Sequence, residues 1–170
     1  MKLTLSADQG TGPLYSFCLI FDGIERAVAP ESEGAVRVSG RILDGTGRPV
    51  CFPDGLIEFL QGDQFARAQT DARGNYQAIL RKPEPVKTKD GAAQAPHFEV
   101  LLFVHPVMDP LRTRMYFPDE AAANAADPVL ALVPEADRAS LVARSNGGGL
   151  QFDIVLQGQK QTAFLSPSQG

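Results

Sequence analysis

His97-Phe98-Glu99-Val100-Leu101-Leu102-Phe103-Val104 is the stretch that decides the fold class. In an extended chain Phe98, Val100 and Leu102 fall on one side and Leu101 and Phe103 on the other. A strand here is apolar on both faces and belongs in the middle of a sheet. Upstream, Val36, Val38, Gly40 and Ile42 alternate with Arg37, Ser39 and Arg41, the period-two pattern of a strand with one buried face. Asp44-Gly45-Thr46-Gly47 then turns the chain. Leu56 to Gln61 and Phe65 to Thr70 read as the next strands. Asp71-Ala72-Arg73-Gly74-Asn75 offers glycine where a hairpin needs positive φ, and Tyr76 to Leu80 returns. Phe152, Ile154 and Leu156 alternate again and close a sheet. With 13 prolines and 16 glycines punctuating these runs, the reading is mainly β, with the strand from His97 to Val104 the best candidate for the middle of a sandwich.

Two segments depart from this pattern. Asp119 to Ala126 is alanine-rich with acids at its start, and Pro134 to Arg144 opens on proline and ends before Gly147. Both are expected to be short helices in one excursion between strands. Lys82 to Pro96 carries Pro83, Pro85 and Pro96 with no apolar periodicity, and is expected to be a long loop. At 170 residues and 44% hydrophobic content, the chain suits one domain over 1–170, with an N-terminal arm over 1–35 and the sandwich over 36–166.

Composition narrows the function classes. Sixteen Lys and Arg stand against 20 Asp and Glu, a net charge of −4, and no basic stripe follows the chain, so nucleic acid is not an expected partner. No run is long and apolar enough for a membrane span, nor is there a signal peptide at Met1 to Gly12, so a cytoplasmic location is expected. Cys18 and Cys51 lack any Cys-x-x-Cys spacing and read as ordinary thiols, with their separation in space left open by the sequence.

Several phrases occur in a fixed order: Ala95-Pro96-His97 ahead of the apolar strand, Thr113-Arg114-Met115-Tyr116-Phe117-Pro118-Asp119-Glu120, Ala123-Asn124-Ala125-Ala126-Asp127-Pro128-Val129-Leu130, Gln151-Phe152-Asp153-Ile154, Gln157-Gly158 and Thr162-x-Phe164. Gly12-Pro13, the segment from Gly40 to Val50, and Leu56-Ile57-Glu58-Phe59-Leu60-Gln61 match more loosely. In this order the chain resembles the alpha chains of protocatechuate 3,4-dioxygenase, members of the intradiol ring-cleavage dioxygenases. The resemblance implies the intradiol β-sandwich of two mixed sheets. It also implies a homologous beta chain as partner, which carries ferric iron (Fe3+) and opens 3,4-dihydroxybenzoate with O2 to 3-carboxy-cis,cis-muconate.

In iron-bearing members of that family two tyrosines and two histidines bind the metal, the histidines two apart on one strand so that both face it. Here His97 matches the first, but Glu99 stands where the second belongs. Val86 replaces one tyrosine in Lys82-Pro83-Glu84-Pro85-Val86, and Gly62 to Ala68 contains Phe65 but no tyrosine for the other. No catalytic residue and no metal ligand is therefore assigned to this chain, and His97 reads as a neutral strand histidine satisfied by a hydrogen bond. A set of His97, Glu99 and His105 is too extended for one ion, since eight residues of strand at about 3.3 Å each span more than ~20 Å.

The resemblance makes Thr11, Gly12, Pro13 and Leu14 a wall of the partner's substrate pocket, and places His105 where alpha chains carry an arginine near the pocket mouth. Histidine lacks the bidentate fork that arginine presents to a carboxylate. Arg112 and Arg114 are nearby sources of positive charge, and Arg114 reads as structural, anchoring Asp119 or Glu120. Two other functions compete: a stand-alone β-sandwich interaction module without chemistry, and a divergent homomeric dioxygenase drawing on Tyr15, Tyr76, Tyr116, His97 and His105.

Overall fold

The computed structural model describes residues 15–88, 91–107 and 109–165. Two sheets face each other across one core. In the first, β1 (Ala35–Leu43) lies at the centre, antiparallel to β4 (Asn75–Arg81) on one side. On its other side it runs parallel to β10 (Leu150–Gln151) and β11 (Ile154–Val155), and β9 (Arg144–Ser145) pairs with β10. The second sheet has the order β3 (Gln64–Gln69), β2 (Gly55–Gln61), β7 (His97–Val104), β8 (Leu111–Tyr116), with every pair antiparallel. The His97–Val104 stretch is therefore an inner strand. Only the first sheet is mixed, which corrects the expectation of two mixed sheets. β2–β3 and β7–β8 are joined by short connections and pair antiparallel, β2 and β7 also meet antiparallel, and only β10 and β11, returning after the long excursion, run parallel to a neighbour.

The facing sides form the main core. Val38, Ile42, Ile57, Phe59, Phe98, Val100, Leu102, Met115, Phe152 and Ile154 are all closed to solvent. Gly40 marks where packing leaves no room, because a Cβ there would sit 1.9 Å from the carbonyl oxygen of Phe152. Gly74 turns the β3–β4 connection at φ 75°, but β3 pairs with β2 and β4 with β1, so the chain crosses from one sheet to the other here and the expected hairpin does not form. On the other face of β7, Leu101 and Phe103 are only half-buried, so the two faces differ more than the apolar run suggests.

The free edges of the sandwich are stitched by side chain and by chain. Gln64 donates through Nε2 to the carbonyl of Arg81 at 2.8 Å and accepts from its amide at 2.9 Å, joining β3 to β4 as a further backbone pair would. Ile24 to Ala27 runs along the same seam. The amide of Arg67 donates to the carbonyl of Ile24, that of Ile79 to Glu25, and that of Ala27 to Ile79, so one segment covers an edge of each sheet.

The excursion is more broken than two plain helices. α2 covers Ala121–Ala126, a 3₁₀ turn covers Leu130–Leu132, and α3 (Glu135–Arg138) passes into a second 3₁₀ turn, Ala139–Leu141. The expected helix to Arg144 ends early because Val142 is extended and Arg144 enters β9. Asp119 and Glu120 lie ahead of α2 and make no side-chain cap; both pair with Lys82 instead. The excursion packs a second cluster, with Ala95, Tyr116, Leu130, Val133 and Leu141 buried together. The expected loop over Lys82 to Pro96 carries a small antiparallel ladder, β5 (Val86–Lys87) with β6 (Ala93–Gln94), because a turn around Gly91 at φ 87° reverses the chain between them. A short helix, α1 (Tyr15–Cys18), opens the described chain. No helix among the described residues is long and apolar enough to cross a membrane.

Candidate functional site

Two of the expected ligand positions, His97 and Glu99, share the outer face of the second sheet at the start of β7. His97 is buried, and its Nδ1 lies 2.8 Å from the carbonyl oxygen of Ala95, so that nitrogen donates a proton. Its Nε2 faces Glu99 Oε1 at 3.5 Å. Register places Arg114 of β8 directly across from Glu99, and Arg114 Nη2 reaches the same Oε1 at 2.6 Å. Burial alone would raise the Glu99 carboxyl, but the contact with His97 and the charge and hydrogen bond of Arg114 outweigh it and hold the group below the usual carboxylate range. Glu99 is thus an ionised partner of Arg114.

The network continues inward. Arg114 Nη1 approaches both Gln94 Oε1 and the Tyr116 hydroxyl at 3.5 Å. Burial pushes the Tyr116 phenol up despite the neighbouring Arg114, and it remains a protonated donor to Asp127 Oδ1 at 3.1 Å. Tyr76 is likewise pushed up by burial and donates to the carbonyl of Phe152. The Tyr15 hydroxyl reaches the Phe103 carbonyl at 3.3 Å. Each tyrosine of the chain has its hydroxyl engaged by a protein oxygen.

A ferric ion does not fit this set. Val86 lies on β5 and offers no donor atom, and Phe65 packs beneath the Arg67 guanidinium, which lies 5.1 Å above its ring. The carboxylate beside His97 is already neutralised by a fixed cation. No group of three or more His, Cys, Asp or Glu side chains suited to a metal occurs among the described residues.

His105 stands at the opposite end of β7, immediately after Val104. Its amide donates to the carbonyl of Asp54 at 3.0 Å, and its exposed side chain lines a groove of about 820 Å³ with Cys51, Val107, Leu156 and Phe164. Beside this groove Phe17 of α1 meets Phe52 edge-on, with ring centroids 5.2 Å apart, and both rings remain exposed to solvent. Cys18 and Cys51 are free thiols.

No family model matches the chain. A protocatechuate 3,4-dioxygenase alpha chain from Burkholderia cepacia is 34% identical over 161 residues, covering 81% of this chain and 80% of its own length. This chain belongs to the protocatechuate 3,4-dioxygenase alpha-chain family. The alpha chain from Pseudomonas putida is 32% identical over 163 residues, covering 82% of this chain and 80% of its own. Among solved structures, the dioxygenase domain of a dioxygenase–carbohydrate-binding fusion from Streptomyces sp. SirexAA-E superposes with a TM-score of 0.56 at 22% identity, over 82% of this chain and 88% of that one.

Within this alpha-chain framework the residues singled out by sequence lie in separate places. His97 and Glu99 are brought together, while His105 is held at the far end of the same strand. Thr11, Gly12, Pro13 and Leu14 lie outside the described residues. Arg114 does not anchor Asp119 or Glu120: strand register puts it opposite Glu99, and Lys82 takes both acids. Asp127, to which the sequence reading assigns no role, is the most heavily bonded side chain of the site. A signal for it exists in the sequence, since an aspartate ahead of Pro128 and a short helical turn is a capping arrangement.

Proposed function

We propose that this alpha chain holds no iron and completes the active site of a homologous beta chain that opens 3,4-dihydroxybenzoate with O2 to 3-carboxy-cis,cis-muconate. The observation that carries the reading is the Glu99–Arg114 ion pair at 2.6 Å. It occupies the position at which the family resemblance puts a second histidine, and it does so in a chain 34% identical to a protocatechuate 3,4-dioxygenase alpha chain. Ferric iron in the beta chain supplies the oxygen chemistry. The contribution of this chain is shape and charge at the mouth of that pocket, to whose wall the family resemblance assigns Thr11, Gly12, Pro13 and Leu14. His105 presents an imidazole where arginine is usual, with the groove beside it open to a ring-sized ligand. Without the arginine fork, recognition of the substrate carboxylate rests on a weaker, single-point contact.

Expression with and without a beta chain tests this. The expected outcome is a co-purifying pair containing one iron per pair, with oxygen uptake on 3,4-dihydroxybenzoate, and an alpha chain that alone is colourless and inactive. An isolated chain that holds stoichiometric iron and consumes oxygen would overturn the reading.

A further inference from the structure

His97 and Glu99 present a nitrogen and a carboxylate oxygen 3.5 Å apart on one face of β7, which is half of an ordinary divalent-metal site. Arg114 stands between that pair and such a use. Its side chain is 4% exposed, its Nη2 lies 2.6 Å from the Glu99 oxygen that also faces His97, and its Nε has no partner among the described residues. A guanidinium cannot yield its charge by losing a proton. It cannot easily withdraw either, because leaving would strand a buried cation and an unpaired carboxylate together.

We propose that Arg114, rather than the shortage of ligands alone, keeps metal ions off this face: its guanidinium takes the counter-charge position that a metal beside Glu99 would need. The position has become a built-in ion pair. A metal approaching the His97–Glu99 pair must displace or approach a fixed positive charge within a few ångströms, where screening is weak. The proposal deepens the reading that this chain holds no iron, which rests on the same Glu99–Arg114 pair, and makes no reference to what a beta chain binds.

The test compares wild type, R114Q, R114Q/H97N and E99H, each folded by circular dichroism, in titrations with Ni2+ by calorimetry and with Co2+ by visible absorption. R114Q is expected to bind Ni2+ at least tenfold more tightly than wild type, with the gain lost in R114Q/H97N. E99H restores two histidines at alternate positions but keeps Arg114, so it is expected to gain nothing. A folded R114Q that binds no better than wild type would overturn the proposal, as would an E99H chain that gains affinity with Arg114 still present. Where R114Q does not fold, E99H decides in the same sense.

Discussion

Asp127 is fully enclosed, yet its two oxygens accept four hydrogen bonds. Oδ1 takes the amides of Val129 and Leu130 at 2.9 and 2.8 Å and the Tyr116 hydroxyl at 3.1 Å, and Oδ2 takes the Ala95 amide at 2.8 Å. This one carboxylate therefore ties the start of a 3₁₀ turn, the end of β8 and the residue two before β7 to a single point. Asp127→Asn keeps the shape but turns one acceptor into a donor facing another donor. With hydrogen bonds to charged groups contributing about 1.5–3 kcal/mol each and orphaned buried donors costing about 1–3 kcal/mol, D127N is expected to lose roughly 2–4 kcal/mol of stability. Urea unfolding checks this; a change under about 0.5 kcal/mol, the size of an ordinary surface substitution, would show that the carboxylate is dispensable. Such a hub is hard to see in sequence, because its burial and one of its partners come from a segment 32 residues away in the chain. Glu99 is easier. Its place two residues after a strand histidine sets its face by alternation alone. Its partner is not legible in the same way, because pairing register between β7 and β8 is not written in either strand alone.

At the scale of elements, alternation in β1 and β4 and the turn glycine between β3 and β4 suffice to place the strands, since each is local chemistry. What local pattern does not carry is the short and the long-range. The two-residue strands β5, β6, β9, β10 and β11 are too brief to show a period, and the excursion breaks into 3₁₀ turns because its apolar residues serve a separate cluster and not one helical stripe. The arm illustrates the same point: nothing periodic marks Ile24 to Ala27, whose value lies in backbone hydrogen bonds to β3 and β4. Because that stitch begins at Ile24, removing residues 1–14 is expected to leave the far-ultraviolet circular dichroism and melting cooperativity unchanged. Turnover of the reconstituted enzyme should fall several-fold. A truncated chain that fails to fold would make the segment part of the sandwich and remove its role as pocket wall.

The whole molecule is a sandwich whose second sheet carries the Glu99–Arg114 ion pair on its outer face, while its exposed rings at Phe17 and Phe52 lie toward the end that carries His105. Family membership and fold are legible in the sequence because motif order and strand pattern agree over most of the chain. The roles proposed for His105 and for residues 11–14 come from the family resemblance and not from any pattern in the chain itself. The segment from Ile24 to Ala27 carries one more consequence. Arg67 belongs to one sheet and Ile79 to the other, yet each loses its amide partner only when the same few residues lift away. In native-state hydrogen exchange these two amides, with that of Ala27, are expected to share one opening free energy, lower than that of the β1–β4 ladder, and to respond alike to added denaturant. Separate exchange energies would mean that the segment peels residue by residue; a common value would make it a zip fastener, one opening event that bares two sheet edges at once.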